Sequence, residues 1–407
     1  MVEFGPILAT WRCHKLIVIL LALLVALTCA IVCNVAFMIQ QRAALMNLPS
    51  GVAENELVMI QSVDLDRDAN QPARHRTDLA ALRMIPGVTA VAAVDALPFN
   101  GNDWTNGIST SPEGQRGVTA SASAFNGTPG ELRTLGLRLV AGRDFTPDEY
   151  IPLDSAHGYD GLEHVSAVII TQALAEHLFP GESALGRSIY SYPNPMRIVG
   201  VVDHLLRPNV GTGNDNDYST IFPMLPDTSD VTYVLRTSAR QRERVLRQAE
   251  DVLYRLDGNR VLRDAETFEQ LRAHYFASDR TMISLLVASA LGLLFVAALG
   301  ITGLANFWVQ QRTRSIGIRR ALGATRSNIL GYFQTENFLI VTAGVVLGAV
   351  LAIGVNLLLM EHYQLPRLPL WYLCVGAVAL WVLGQLAVLA PSLRASRVQP
   401  VVAMRSV

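Results

Sequence analysis

Cysteine is scarce and confined. The four cysteines, Cys13, Cys29, Cys33 and Cys374, all lie in or beside apolar runs. The long polar block from about 41 to 279 has none, which argues against a disulfide framework there even in an oxidising compartment. No Cys-x-x-Cys pair exists, so a thiolate metal site is not expected. The eight histidines form no H-x-x-x-H or H-E-x-x-H pattern, and no G-x-S-x-G elbow is present, which removes the usual zinc-hydrolase and serine-hydrolase signatures. Asp64, Asp66 and Asp68 alternate, but the glycine and closing glutamate of a calcium loop are missing; a solvated acidic edge is the reading. Gly181 to Ser188 has the glycine spacing of a phosphate loop, yet Arg187 stands where the lysine belongs and the segment leads into a strand-like run, where a phosphate loop opens a helix. Charge is also sparse, at 16% with a net of −1, which does not suggest a nucleic-acid binder. No catalytic, cofactor or metal site is expected on this chain.

What is abundant is apolar sequence, 51% of the chain. It is gathered into four stretches long enough for the roughly 20 residues that a bilayer core requires. They run over 16–39, 282–307, 338–360 and 370–390, and none carries Lys, Arg, Asp or Glu in its interior. The first is too long for a signal-peptide core, and no A-x-A site follows it, so it reads as an uncleaved anchor. The absence of ionisable residues from these stretches argues against a proton-coupled carrier acting alone. Basic residues flank the stretches unevenly. Arg12 and Lys15 precede the first; Arg312, Arg314, Arg319, Arg320 and Arg326 lie between the second and third; Arg394, Arg397 and Arg405 follow the fourth. The positive-inside rule makes those flanks cytoplasmic, with both termini inside and 40–281 outside. The expected order is a cytoplasmic N-terminus (1–15), a first helix, an extracytoplasmic domain (40–281), a second helix, a cytoplasmic elbow (308–337), a third helix, a short outer loop (361–369), a fourth helix and a cytoplasmic tail (391–407).

The block outside is α+β. Leu57 to Val63 reads as a strand, Thr77 to Met84 as a helix and Val88 to Val94 as a strand after Pro86-Gly87. Val231 to Arg236, Ala239 to Leu256 and Arg260 to Leu262 repeat that order, so β-α-β units flank a middle insertion. Within the insertion, Val165 to Thr171 and Met196 to Val202 read as strands and Gln172 to Phe179 as a helix, while 100–117 and 209–219 read as loops. Ala265 to Asp279 reads as a helix leading toward the second membrane stretch.

The elbow is the most informative segment. Gly323 suits a helix C-cap and Thr325 an N-cap. Arg312, Arg319 and Arg326 recur at steps of seven, and Ile318, Leu322 and Ile329 form an apolar stripe. A basic, partly apolar elbow suits docking on another protein, and equally suits lying on anionic lipid headgroups. In the second stretch, Ala288, Gly292, Gly300 and Gly303 are candidates for close helix approach in a dimer.

The segment Arg312-Thr-Arg314, Ile316-Gly-Ile318-Arg319-Arg320-Ala-Leu322-Gly323-Ala-Thr325 resembles the elbow of the MacB/FtsX-like permease family. Glu336, the C-terminal run Pro391, Arg394, Ala395, Arg397, Pro400, Ala403 and Arg405, and the stretches 139–145, 168–180 and 197–202 extend the resemblance over nearly the whole chain. It implies a 1+3 arrangement of spans around a periplasmic core domain of porter-like β-α-β units. It implies a permease without a fused ATPase, with ATP and Mg on a separate cytoplasmic ABC-type ATPase that docks on Arg312, Arg314, Ile316, Ile318, Arg319, Arg320, Leu322, Gly323 and Thr325. Further implied partners are a second permease copy or paralogue, a periplasmic adaptor or outer-membrane channel, and membrane lipid. The implied activity is mechanotransmission at a bacterial inner membrane, moving a lipid-like, peptide or antibiotic substrate; the alternatives are a signal transmitter acting on a periplasmic hydrolase or sensor, and an ATPase-independent scaffold.

Overall fold

A computed structural model describes residues 15–66, 70–112, 117–152, 162, 164–191, 194–312, 316–318, 321, 325–363 and 367–396. The chain divides into a unit formed by 1–44 with 279–407 and a second formed by 45–278. Helix α1 (Lys15–Met46) opens the first.

The unit 45–278 begins with β1 (Leu57–Asp64), α2 (Gln71–Arg83) and β2 (Val88–Val94). The helix starts six residues before the expected position, because Asn70 caps it by accepting from Ala73 N at 3.1 Å and Pro72 sits in its first turn. An insertion follows, with β3 (Trp104–Ser109), β4 (Thr119–Asn126), α3 (Glu131–Leu135), β5 (Leu139–Gly142), β6 (Ile151–Pro152), β7 (Ala167–Thr171), α4 (Gln172–Leu178), β8 (Ser188–Ser191), β9 (Asn194–Val202), β10 (Ser219–Phe222) and β11 (Met224–Leu225). The chain then forms β12 (Asp230–Thr237), α5 (Arg242–Leu256), β13 (Arg260–Thr267) and α6 (Phe268–Tyr275).

The two β-α-β units are interleaved in one sheet. Its order is β13-β1-β12-β2, antiparallel throughout, the split arrangement in which each unit's strands enclose a strand of the other. Both faces are covered. Val58 and Ile60 turn to α2 and α5, where Leu79, Leu82, Val245 and Leu253 are buried. Leu57 and Met59 turn the other way, toward Phe99, Phe125, Leu135 and Phe268. This explains the continuous apolar run of β1, since period-2 alternation disappears when each side is dry. Full burial of each such side chain contributes about 1.5–3 kcal/mol.

The insertion builds a second sheet in which pairings close on themselves: β9-β7-β10-β4-β3-β8 and back to β9. Strands β8 and β5 share one edge of β9, at Asn194–Arg197 and Gly200–Val202 respectively. Every strand of the ring contributes to one buried cluster, including Ile108, Ala124, Ile170, Ile189, Ile198 and Phe222. Two sequence expectations are corrected here. Residues 104–109 are strand, because six pairings with β4 supply the order that Trp-Thr-Asn-Gly-Ile-Ser lacks locally. Residues 260–267 are strand throughout, because β1 pairs with them, and helix begins only at Phe268 after a capping box at Thr267. Asp64 is also less solvated than expected, at 10% exposure, while Asp66 is exposed as expected; Arg74 pairs with both and with Asp257 at 2.7 Å.

Glu131 is fully enclosed, in a space left open by Gly127, where a Cβ would lie 2.5 Å from Glu131 Oε2. Burial, then the charges of Asp95 and Asp144, push its carboxyl well above the usual range. Between the ordinary value and that raised one, the folded chain holds a proton that the unfolded chain has released. The stability present at low pH is therefore lost as pH rises through the folded value. Glu131→Gln is expected to raise the melting temperature at about pH 8 while changing little at about pH 5. Equal shifts at both pH values would contradict this.

In the unit that holds α1, three further long helices follow among the described residues: α7 (Ala277–Gln311), α8 (Arg326–Tyr363) and α9 (Leu370–Ser396). At 32, 35, 38 and 27 residues the four exceed what a bilayer core needs. Phe276 separates α6 from α7 in the chain. α9 continues through Pro391 to Ser396, into the stretch expected as tail. α1 seats on α8 at Gly348, where a Cβ would meet Cys29 Cβ at 2.5 Å and Ala26 O at 2.7 Å. Polar groups join the helices where hydrocarbon offers no partner. Asn34 donates to Ala352 O at 3.2 Å, Asn337 to Gly384 O at 3.0 Å and Thr302 to Ala387 O at 3.1 Å.

Candidate functional site

The candidate site is the connection between α7 and α8. Its first residue, Arg312, continues the helical bonding of α7, donating its N–H to Trp308 O at 3.1 Å. The side chain does not splay outward as a snorkelling arginine would. It lies over the Trp308 ring, 5.3 Å from the centroid, and its guanidinium meets Glu336. Nη1 donates to Oε2 at 2.9 Å and to Oε1 at 3.2 Å, and Nη2 to Oε1 at 3.3 Å. Glu336 is 1% exposed and Arg312 15%. The forked guanidinium matches the carboxylate and also stacks on the indole, a combination that lysine does not provide.

Glu336 lies ten residues into α8, about 15 Å along its axis at 1.5 Å per residue. The expectation that the membrane helices hold no buried charge is thus corrected. The third stretch reads as beginning at 338, two residues beyond Glu336, whereas the helix begins at Arg326 and carries the carboxylate inward. The signal for it was present: a carboxylate and Asn337 at the border of an apolar run, with a guanidinium at the border of the preceding one.

Ile316 N donates to Arg312 O at 2.9 Å, so the chain is still helical there. Ile316 is buried with Ile329 and Phe333 of α8 and Ala395 of α9. The apolar stripe drawn from Ile318, Leu322 and Ile329 therefore does not present one face. Ile329 turns inward, Ile318 is 46% exposed, and Leu322 lies outside the described residues. Thr325 caps α8, its Oγ1 accepting from Asn328 N at 3.3 Å. Arg314, Arg319, Arg320 and Gly323 also lie outside the described residues. Among the small residues of α7, Gly300 faces α1 of its own chain, where a Cβ would lie 2.7 Å from Leu24 Cδ2; Ala288, Gly292 and Gly303 are exposed.

The other sequence candidates resolve as structure. Arg187 pairs with Glu182 and lies over the Phe179 ring, and the strand β8 follows it directly. Among the described residues, no three His, Cys, Asp or Glu side chains gather as metal ligands.

The MacB-like periplasmic core domain family matches residues 17–270, and the FtsX-like permease C-terminal family matches 287–400. The ABC transporter permease YvrN of Bacillus subtilis is 27% identical over 284 residues, 66% of each chain. The macrolide export ATP-binding/permease protein MacB of Campylobacter jejuni is 25% identical over 374 residues, 87% of this chain and 52% of that one. The chain thus spans about half the length of that MacB relative and just under two thirds of YvrN. Among solved structures, the periplasmic region of MacB from Actinobacillus actinomycetemcomitans aligns at 13% identity over 56% of this chain and 96% of its own, with a TM-score of 0.34. The extracellular domain of YknZ from Gram-positive bacteria aligns at 18% over 51% of this chain and 100% of its own, with a TM-score of 0.32. Four apolar helices and a MacB-like periplasmic domain fit an inner-membrane protein, and the chain belongs to the MacB/FtsX family of ABC transporter permeases.

Proposed function

We propose that this chain is the transmembrane subunit of a mechanotransmission complex. A cytoplasmic ABC-type ATPase binds the elbow at 312–325, and its closure on ATP is relayed by α7 to the periplasmic core domain. The spans take a 1+3 arrangement with both termini cytoplasmic, the interleaved sheet is one porter-like unit, and two copies or paralogues pair through the exposed small residues of α7. The domain limits are those expected above, with 40–281 periplasmic and 308–337 the coupling elbow. The substrate, lipid-like, peptide or antibiotic, is gripped on the periplasmic side, with a periplasmic adaptor or outer-membrane channel completing the route.

One observation carries the reading. The bidentate Arg312–Glu336 pair and the Ile316 cluster bind the start of the elbow to α8 and α9, while Ile318 is left exposed. A ligand-driven shift needs different contacts in two states of the partner, and an elbow whose start is held to α8 and α9 passes such a shift on to them. Ile318 provides an apolar contact, and Arg319 and Arg320 add cationic ones.

The test is a mild-detergent pull-down of the tagged chain from its host. A P-loop ATPase is expected to co-purify and to fall by about tenfold or more with Arg319→Glu/Arg320→Glu, as for loss of charge complementarity at an interface. Ile318→Asp is expected to act alike. Full recovery of the ATPase with all three substitutions present would sink the docking assignment.

A further inference from the structure

A small cavity lies where α1, α7, α8 and α9 meet. Apolar side chains from all four helices wall it, among them Leu21, Ala305, Phe333 and Val388. Three polar side chains also line it: the Trp308 indole, the Glu336 carboxylate and the Asn337 amide. Its volume is about 20 Å³. That is close to what one water molecule requires, about 10–15 Å³ of free volume, provided that polar partners stand around it.

The indole lacks a partner. Trp308 is 7% exposed, and its Nε1–H is enclosed with no acceptor among the described residues. Arg312 occupies the face of the ring, but a guanidinium is itself a donor and cannot accept the indole proton. Indole nitrogen is a donor only, and a buried tryptophan usually finds an acceptor, because leaving the N–H unmet forfeits the bond it made to water in the unfolded chain. The other polar groups of the wall can accept. Glu336 presents carboxylate oxygens. Asn337 donates its Nδ2 to Gly384 O at 3.0 Å and carries an amide oxygen besides. A donor and two kinds of acceptor thus border one space that is too small for a side chain and large enough for a water.

We propose that this cavity binds one ordered water molecule, which accepts from Trp308 Nε1 and donates to Glu336 or Asn337. The chemistry of the wall selects it. The end of an acyl chain would fill the space and leave the indole without an acceptor, and a metal cation would bring no acceptor either. Water both accepts and donates. Trp308 and Arg312 are four residues apart, hence on one face of α7. Arg312 reaches α8 directly through Glu336. The water gives α7 a second polar link to α8, one turn further from the elbow. Trp308 is then a positioning residue, stacked on the guanidinium and tied through the water to the helix that the guanidinium binds. The inference stands on the cavity and the indole, and holds whether or not an ATPase docks on the elbow.

The experiment uses the full chain, deuterated and labelled with nitrogen-15 at its five tryptophans, in phosphatidylcholine nanodiscs. Trp308→Phe removes one of the indole signals and so assigns it. Rotating-frame cross-relaxation by NMR is then read between the Trp308 Nε1–H and the water resonance. A water held beside the indole gives a cross-peak opposite in sign to the diagonal, whereas chemical exchange of the proton gives one of the same sign. The opposite-signed peak is expected in the wild-type chain. It is expected to be lost in Ala305→Val, which adds methyl groups at the cavity wall, with cooperative thermal unfolding as the check that this variant is folded. A wild-type Trp308 signal without the opposite-signed peak would overturn the proposal. So would survival of the peak at full strength in folded Ala305→Val. A cross-peak from the indole N–H to acyl-chain protons in place of water would also overturn it, and would give the cavity to the end of a lipid chain.

Discussion

Arg312→Met is expected to cost the membrane unit about 3–5 kcal/mol, the range for removing one partner of a buried pair. The carboxylate of Glu336 is enclosed, and both its oxygens accept from Arg312. Removing the guanidinium takes away three hydrogen bonds and the packing over Trp308. Arg312→Lys should recover only part of the loss, since a point charge does not reproduce the fork or the stack. The informative comparison is the double variant Arg312→Met/Glu336→Gln, which removes the charge along with its partner and should melt closer to wild type than Arg312→Met alone. Thermal unfolding of the full chain in nanodiscs gives the comparison. If Arg312→Met melts with the wild type, the pair is not what holds the elbow to α8, and the relay loses its basis.

Asp78→Ala is the second large effect, placed in the core domain. Asp78 lies on α2, and donors from the far end of the chain converge on it. Arg260 of β13 donates to Oδ2 at 2.7 Å and to Oδ1 at 3.2 Å, and Tyr233 of β12 donates to Oδ2 at 2.7 Å. Asp78 and Arg260 side chains are each 4% exposed. The network joins the first β-α-β unit to the second, so it holds together segments separated by the whole insertion. Burial and the Asp78 charge both push the Tyr233 hydroxyl upward, so it remains a donor over the accessible pH range. Truncating the carboxylate leaves a buried guanidinium, and a loss of about 3–5 kcal/mol is expected. Hydrogen exchange of the full chain should show β12 and β13 losing protection together. Asp78→Leu/Arg260→Met should be milder than Asp78→Ala, because an apolar pair carries no desolvation penalty. Protection lost in α2 alone would mean that the pair is local and does not close the sheet.

Much of the site was legible in one dimension. The helical state at 316–318 and the Thr325 cap follow from residue type and spacing, which are local properties. The inward turn of Arg312 was not legible. A guanidinium at the end of an apolar helix reads as solvent-facing, and only the antiparallel return of α8 brings Glu336 to it. Ile329 likewise reads as one stripe with Ile318 and Leu322 until packing with Ile316, Phe333 and Ala395 turns it inward.

The same division holds across the chain. Four apolar runs, the basic flanks, the strands of β1, β2, β7, β9 and β12 and the family motifs were determined by the sequence itself, because periodicity and composition act within a few residues. Tertiary structure decided the interleaving of the β-α-β units, the closing of β8 onto β9, the strand state of 104–109, the burial of Glu336 and the assembly of a small cavity from α1, α7, α8 and α9. Each depends on partners far apart in the chain. Their backbone and side-chain groups have equally good local alternatives until packing removes water and leaves one set of hydrogen bonds and charges satisfied.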